Sequence, residues 1–382
     1  MTTLPPWEQD TPDRKARRKA LRKERIAGLL EGRPRIGPET VHFDIANGCN
    51  TRCTTCWHHS PHLLPHHVPS AAWKRQRLAL EDFRRMFDDL VALGGLENII
   101  LSGMGDPTLN PDLATMVEYA HQHGVAVTII TNLLKADLPR LLDSGGPLDL
   151  LTSICGVTDA VWQRFHAHPS PHGFERLLAQ LTYLKRRGFR PKHVQVINTD
   201  NVHELPDMVR FAERFPVKRI NFKLASLTNG TEAVALTEPQ RRSLLETWIP
   251  QARAEAERLG VDTDLAAFAT QVTPGSHRTA PIEDTGCFMG YLYSRVTVEG
   301  ELLFCCNTNV SVGQVTTEHP LSELWSSPRY DALRAHVRAG RYFRGCDQCG
   351  KYKQNLKWSQ RLRDKLPAQV FEGLIGRGRA AP

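Results

Sequence analysis

Strand-like and helix-like segments alternate through most of the chain, and this alternation constrains the fold more than any other feature. Short apolar runs are separated by longer segments whose apolar residues have helical spacing. The predicted strands are residues 41–45, 98–102, 125–130, 149–154, 193–197 and 219–222. The predicted helices are residues 80–93, 111–123, 136–142, 203–215 and 238–259, with more than one helix within residues 162–187. Six such units predict a parallel sheet covered by helices.

Capping residues support several of these helix limits. Thr237 precedes Glu238 and Pro239, which predicts a helix start with a hydroxyl cap and a first-turn proline. Gly260 predicts the end of the same helix, and Gly124 and Gly188 predict two other helix ends.

Three cysteines, Cys49, Cys53 and Cys56, follow the first predicted strand closely. In α/β proteins the carboxyl ends of strands carry the active site. An iron-sulfur cubane or a structural zinc ion normally takes four protein ligands, so three thiolates leave one position open. The group therefore predicts a catalytic metal centre. A zinc knuckle that is completed by a distant ligand is the alternative.

The spacing C-x3-C-x2-C resembles the signature of the radical SAM superfamily. The resemblance covers about residues 41–355 and implies an α/β fold, a partial (β/α)6 TIM-like barrel. It implies that Cys49, Cys53 and Cys56 hold a [4Fe-4S] cluster whose fourth iron binds S-adenosylmethionine (SAM). In the family, one electron from a reductant such as flavodoxin or ferredoxin cleaves SAM. The 5'-deoxyadenosyl radical that results abstracts hydrogen from a substrate carbon.

A second motif, Ser102-Gly103-Met104-Gly105-Asp106-Pro107, ends the second predicted strand. It resembles the family's glycine-rich GGEP motif, with Met104 and Asp106 as variants. Small residues let the backbone approach a cofactor, and a carboxylate can meet the methionine ammonium group of SAM.

Further SAM contacts are implied by the resemblance at the ends of the next three strands. The implied residues are Thr131, Asn132, Ser153, Asn198 and Asn201. Each of them could instead cap a turn or the next helix. The family usually has a large residue before the third cysteine, where this chain has Thr55, so Trp57 is expected to lie beside the adenine.

More cysteines follow near the carboxyl terminus, after a predicted hairpin that turns at Glu299-Gly300. This region resembles the small Cys-rich α+β extension called SPASM or, in its shorter form, twitch. The resemblance implies one auxiliary [4Fe-4S] cluster on Cys287, Cys305, Cys346 and Cys349, with Cys306 as a competitor for the second ligand. A zinc ribbon on the same residues is the alternative. Cys155 is expected to be a small buried residue.

The composition agrees with an enzyme of the cytoplasm. The hydrophobic share is 41%, no apolar run approaches the roughly 18 residues of a membrane helix, and the amino terminus has no signal core. The net charge of +8 arises largely from basic residues at 14–25 and 351–365. Such terminal segments are more typical of solvated helix faces or docking arms than of base-reading elements.

The predicted organisation has four parts. They are a basic helical segment at 1–40, the radical SAM core at 41–262, the auxiliary-cluster domain at 263–355 and a basic tail at 356–382.

Histidines form two groups. The first lies with three prolines in the loop after the cysteines, and it predicts a solvent-facing or substrate-covering segment, with a metal site as the alternative. Its members are His58, His59, His62, His66 and His67. The second group, His166, His168 and His172, is expected on a surface connection.

The sequence thus predicts a radical SAM enzyme that oxidises or rearranges a small biosynthetic intermediate. Modification of a ribosomal peptide is the alternative, and it is disfavoured because residues 1–40 are too few and too charged for a peptide-recognition domain. A zinc-stabilised nucleic-acid-binding protein is the alternative outside enzymes.

Overall fold

A single nine-stranded sheet organises the computed structural model, which describes residues 12–272, 280–306 and 309–377. The strands are β1 (Thr40–Asp44), β2 (Asn98–Ser102), β3 (Ala126–Thr131), β4 (Leu148–Ser153), β5 (Lys192–Ile197), β6 (Arg219–Leu224), β7 (Tyr293–Val296), β8 (Glu301–Leu303) and β9 (Ser311–Gln314). Their order is β6-β5-β4-β3-β2-β1-β7-β8-β9. Strands β1 to β6 are parallel, β7 joins β1 in parallel, and β8 and β9 are antiparallel.

Helices follow most of the strands. They are α1 (Pro12–Glu31), α2 (Ala71–Lys74), α3 (Leu80–Leu93), α4 (Leu113–Gln122), α5 (Leu138–Leu142), α6 (Asp159–His166), α7 (Gly173–Arg186), α8 (Leu205–Arg214), α9 (Glu238–Ser243), α10 (Ile249–Leu259), α11 (Leu265–Gln271), α12 (Ile282–Thr285), α13 (Leu321–Trp325), α14 (Pro328–Arg338), α15 (Tyr352–Arg363) and α16 (Ala368–Leu374). A π-helical segment, Leu244–Trp248, joins α9 to α10. Within the described residues, no helix is both long and apolar enough to cross a membrane.

The predicted fold class is confirmed, since six parallel strands with their helices form the (β/α)6 part of a partial barrel. The predicted cap at Thr237 is present as a capping box with Gln240, and Gly260 ends α10 in the left-handed conformation. The helices predicted within residues 162–187 are α6 and α7, and α6 begins slightly earlier, at Asp159. Pro169 and Pro171 lie between them, and proline cannot continue a helix interior.

The sheet has one face under the helices and one face toward the barrel interior. Burial alternates along β3, β4 and β5, so every second side chain is fully covered and its neighbours are only half-buried. The covered apolar residues of β3 and β4 belong to a core that continues into β7, β8 and α14, and Ile197 of β5 belongs to a second apolar cluster. The half-buried residues leave room for a cavity inside the barrel.

A buried ion pair joins the barrel to the carboxyl-terminal strands. Arg295 on β7 donates to both carboxylate oxygens of Asp44 on β1, through Nε at 2.9 Å and Nη2 at 3.0 Å. The Asp44 side chain is 0% exposed and that of Arg295 is 10% exposed. Burial raises the pKa of Asp44 although the Arg295 charge opposes this. The pair holds the end of β1 against β7.

We expect Arg295→Met to lower the free energy of unfolding by about 3–5 kcal/mol, because it leaves a buried carboxylate without its counter-ion. Urea denaturation followed by circular dichroism measures the change. The double variant Asp44→Leu/Arg295→Met should recover most of the loss. Arg85→Met, in the exposed pair with Asp82, is the matched control and should cost less than about 1 kcal/mol. An equal loss in the single and double variants would contradict this account.

Candidate functional site

The first cysteine group lies on one loop that begins where β1 ends. Thr51 Oγ1 is 3.4 Å from Cys49 Sγ and 3.4 Å from Cys53 Sγ. The amide of Cys56 donates to the Cys53 carbonyl at 2.9 Å. The three predicted cluster ligands therefore come together on one compact turn, the cysteine loop (residues 47–60).

His166 contacts this loop and was not predicted to do so. Its Nδ1 is 3.2 Å from Cys53 Sγ, and its Nε2 is 3.0 Å from the Ile154 carbonyl oxygen. Two backbone bonds reinforce the contact, from the Arg52 amide to the His166 carbonyl at 2.9 Å and from the Thr54 amide to the Phe165 carbonyl at 2.8 Å. The end of α6 thus fixes the cysteine loop.

The surface placement expected for the second histidine group is wrong for two of its three members. His166 is 0% exposed and His168 is 8% exposed, and only His172 lies at the surface. The apolar stripe of α6, which includes Val161 and Trp162, turns His166 inward. That helical spacing is the signal in the sequence that could have placed it.

Burial makes the three thiols weaker acids than an ordinary cysteine. It raises the pKa of Cys49 to about 11 and raises those of Cys53 and Cys56 as well. A bound cation supplies the charge that stabilises such thiolates, so these donors fit a thiolate-ligated metal cluster. Among residues 12–272, 280–306 and 309–377, no three His, Cys, Asp or Glu side chains are grouped to hold a single metal ion.

The glycine-rich motif packs directly on the cysteine loop. A Cβ on Gly103 would overlap the Ala46 carbonyl oxygen, and one on Gly105 would overlap the Gly48 carbonyl oxygen. The amide of Gly105 donates to Ala46 at 3.0 Å. Glycine is therefore required here for the approach of two backbone segments, in addition to any approach to a cofactor.

Asp106 gathers several predicted SAM contacts. Its carboxylate accepts bonds from the Thr131 hydroxyl at 2.9 Å, the Asn132 amide at 2.8 Å and the Thr108 amide at 2.9 Å. Asn132 Nδ2 in turn donates to Asn50 Oδ1 on the cysteine loop at 2.8 Å. These residues do lie together, but the carboxylate already has internal partners. Its contact with the SAM ammonium group stays a prediction.

Of the remaining predicted SAM contacts, one reaches the cysteine loop and the others contact residues near themselves in the chain. Asn198 reaches the cysteine loop, because its Nδ2 donates to Thr54 Oγ1 at 3.1 Å. Asn201 is fully buried, and its Nδ2 donates to the Val196 carbonyl oxygen at 2.8 Å. This hydrogen bond stabilises the loop that carries Asn201. Ser153 Oγ lies 3.4 Å from Cys155 Sγ, and Cys155 is buried as expected.

Two residues of the glycine-rich segment hold its ends. Ser102, the last residue of β2, accepts a bond from the Ile45 amide at 2.8 Å through its carbonyl oxygen. Pro107 is buried and opens a short 3₁₀ turn that Asp106 caps.

One cavity of about 570 Å³ connects the two cysteine groups. One end is lined by Cys56, Trp57 and Gly103, and the other end by Cys349 and Tyr352. The wall between them consists of inward-facing barrel residues, namely Leu151, Val194, Val196, Asn221 and Lys223. A molecule inside this cavity would face both groups at once.

Three of the four predicted auxiliary ligands share a desolvated region around the start of α15. Burial raises the pKa of Cys287 and Cys346 and raises that of Cys349 to about 12. Asn355 Nδ2 lies 3.8 Å from Cys349 Sγ. The charges of Cys349 and Cys346 raise the pKa of Cys287, and the charge of Cys346 raises the pKa of Cys349. These three thiols are therefore neighbours in space.

The adjacent cysteines 305 and 306 differ in their surroundings. Their Sγ atoms are 4.0 Å apart, and this contact raises the pKa of Cys305 and lowers that of Cys306. Cys305 interacts electrostatically with Cys287 and Cys349. Cys306 interacts with Cys346 and Cys349, and also with the positive charges of Lys351 and Arg295. Donors of this type fit a second thiolate-ligated cluster.

The histidine-rich loop divides into covered and exposed parts. His59 is buried, with Nε2 2.9 Å from the Asn47 carbonyl oxygen, and His58 lines the cavity. His62, His66 and His67 are exposed. The loop thus faces solvent on one side and the cavity on the other.

Comparison with known proteins agrees with this geometry. Residues 43–212 match the model of the radical SAM superfamily, and residues 287–350 match that of the SPASM iron-sulfur cluster-binding domain. The mycofactocin maturase MftC of Mycobacterium ulcerans is 22% identical over 82% of this chain and 81% of its own length. A PqqA peptide cyclase of Bradyrhizobium diazoefficiens is 22% identical over 82% of this chain and 78% of its own.

Among solved structures, SuiB of Streptococcus suis bound to SAM has the same fold. The TM-score is 0.60 at 15% identity, and the match covers 94% of this chain and 81% of SuiB. A second SuiB structure, bound to its precursor peptide SuiA, matches with a TM-score of 0.59 at 15% identity, over 88% of this chain and 75% of SuiB. The cysteine spacing, the fold and both domain matches agree: this chain is an enzyme of the radical SAM superfamily with a carboxyl-terminal SPASM domain, and its cofactors are SAM and [4Fe-4S] clusters.

Proposed function

We propose that this enzyme modifies a peptide. The observation that carries the proposal is the single cavity that has Cys56 at one end and Cys349 at the other, where a substrate residue would face both cluster sites. The similarity to MftC and to a PqqA peptide cyclase favours a peptide over a small molecule as the substrate. The preference for a small-molecule substrate that the sequence suggested is therefore replaced by its alternative, a peptide substrate.

Cys49, Cys53 and Cys56 would hold the cluster that binds SAM, which supplies a radical able to abstract hydrogen. The protein's own residues orient and shield this chemistry. Asp106, through Asn132, keeps the glycine-rich segment against the cysteine loop. The predicted roles of Thr131, Ser153, Asn198 and Asn201 as SAM contacts remain part of this proposal.

The cavity is closed on one side by contacts between the barrel and the extension. Trp57 Nε1 donates to the Ser226 carbonyl oxygen at 2.6 Å, and the Ser226 hydroxyl bonds Gln348. Val194, Val196 and Leu151 add an apolar wall. Excluding water in this way protects a reactive intermediate and holds the target bond in place.

The second cysteine group would hold one auxiliary cluster through Cys287, Cys305, Cys346 and Cys349. It would supply a site for one electron, which suits an oxidative modification such as a crosslink. In the proposed organisation the core spans 41–262 and the auxiliary domain spans 263–355. A flavodoxin or ferredoxin of the cytoplasm is the proposed reductant.

Replacing any one of Cys49, Cys53 and Cys56 with alanine should abolish reductive formation of 5'-deoxyadenosine and remove about four irons per chain, because the cluster loses an obligatory ligand. Anaerobic reconstitution followed by iron analysis and chromatography measures both quantities. Cys155→Ala is the matched control, since Cys155 is a buried neighbour outside the group, and it should retain both. Full SAM cleavage in any of the three variants would refute the ligand assignment.

Cys305→Ala and Cys306→Ala should separate the auxiliary ligand from its neighbour. We expect Cys305→Ala to lose about four irons and Cys306→Ala to keep them, because the buried Cys305 thiol interacts with Cys287 and Cys349, whereas the Cys306 thiol also interacts with the cations Lys351 and Arg295. Iron content and low-temperature electron paramagnetic resonance distinguish the two variants. The reverse result would assign Cys306 as the ligand.

The peptide proposal is tested with short peptides encoded beside the gene. Each is incubated anaerobically with reconstituted enzyme, SAM and reduced flavodoxin and then examined by mass spectrometry. We expect one peptide to change in mass and to raise 5'-deoxyadenosine formation above its level without substrate. The three cysteine variants above serve as negative controls. If every peptide stays unmodified while a small metabolite is converted, the proposal is wrong.

A further inference from the structure

The two basic segments at opposite ends of the chain meet around one cavity. This cavity, of about 610 Å³, lies where β1, β2 and β3 begin, at Thr40, Asn98 and Ala126. Helices α1 and α15 form its walls. We name it the basic cleft, after its cationic lining residues Arg18, Arg22, Arg25, Lys353, Lys357 and Arg361.

The cleft has fewer acidic side chains than basic ones. Its carboxylates among the described lining residues are Glu39 and Glu97. Arg25 is 3% exposed and donates to Glu97 at 2.5 Å, and its Nη1 is 3.8 Å from Glu39. Arg25 is therefore the closest partner of both carboxylates, and these two carboxylates offset only part of the charge of the six cations.

Three cations at the cleft form no close ion pair with the described residues, although Glu39 attracts Lys357 and Arg361 from a greater distance. Within the described part of the chain, Arg22, Lys357 and Arg361 have no carboxylate oxygen within the 4.0 Å of an ion pair. Burial, followed by the charge of Arg22, lowers the pKa of Arg361. Like charges that share a concave surface repel each other, and a bound anion would remove this repulsion.

The basic cleft is adjacent to the active-site cavity. Lys353 lines both, and it pairs with Asp264 between them. The two cavities therefore share the Lys353 side chain as part of their walls. A chain that leaves the active-site cavity past Lys353 would enter the basic cleft.

We propose that the basic cleft binds an acidic segment of the peptide substrate, away from the residue that reacts. This rests on the proposed peptide function and names a recognition element for it. Guanidinium groups bind carboxylates through paired hydrogen bonds, and Arg22 and Arg361 present two such groups. A concave cleft with Arg25 on its floor suits an extended peptide better than the convex face of a folded electron carrier.

The test uses two fluorescein-labelled ten-residue peptides. One alternates Glu with Ser, and the other has Gln in place of every Glu. Fluorescence anisotropy with cluster-loaded enzyme should show binding of the Glu peptide, weakening as salt rises, and much weaker binding of the Gln peptide. Lys357→Glu/Arg361→Glu should weaken the Glu peptide about tenfold, because two attractions become repulsions.

Arg186→Glu is the matched control, because Arg186 is an exposed cation at the end of α7, outside the cleft, and its reversal should change affinity less than about twofold. Melting temperature and iron content per chain should be unchanged in the double variant, which shows that it is folded and carries its clusters.

Three results would overturn the inference. The first is equal binding of the Glu and Gln peptides by the wild type. The second is equal binding of the Glu peptide by the wild type and the double variant. The third is a double variant that loses flavodoxin binding but still binds the Glu peptide normally. The last would assign the cleft to the electron carrier. Because binding is measured without turnover, these results are distinct from failure of the peptide function, which would appear only as unmodified substrate.

Discussion

One buried side chain, Arg295, holds together the parts on which this enzyme depends. Its guanidinium bonds Asp44 just before the cysteine loop, the Cys306 carbonyl oxygen at 3.0 Å, and Met104 Sδ at 3.3 Å. It therefore touches the segments that carry both cysteine groups and the glycine-rich motif. A buried charge with several fixed partners tolerates little movement, so it fixes the spacing between the two cluster sites.

The placement of charge follows from the same architecture. Because β7 pairs with β1, the carboxyl-terminal segment returns to the barrel. Helix α15 then lies beside the starts of β1, β2 and β3. Asn355 in the first turn of α15 contacts Cys349, and residues along the helix from Lys353 to Arg361 line the basic cleft. A single helix thus links the proposed auxiliary cluster site to the proposed docking site for the acidic part of a peptide.

Sequence patterns predicted the strands and most helices because apolar periodicity and caps are local. They also predicted the glycine-rich segment, but for an incomplete reason: Gly105 is needed mainly because its backbone lies against Gly48. They failed at His166, since a histidine on a short helix looks the same in sequence whether it faces water or Cys53.

The sequence by itself determined the six strand–helix units, both cysteine groups and the family, because each depends on residue type and short spacing. Tertiary structure alone decided that basic segments more than 300 residues apart line one cleft and that Lys353 borders two cavities. The reason is physical: a charge acts on whatever lies within several ångströms of it in space, and chain separation says nothing about that distance.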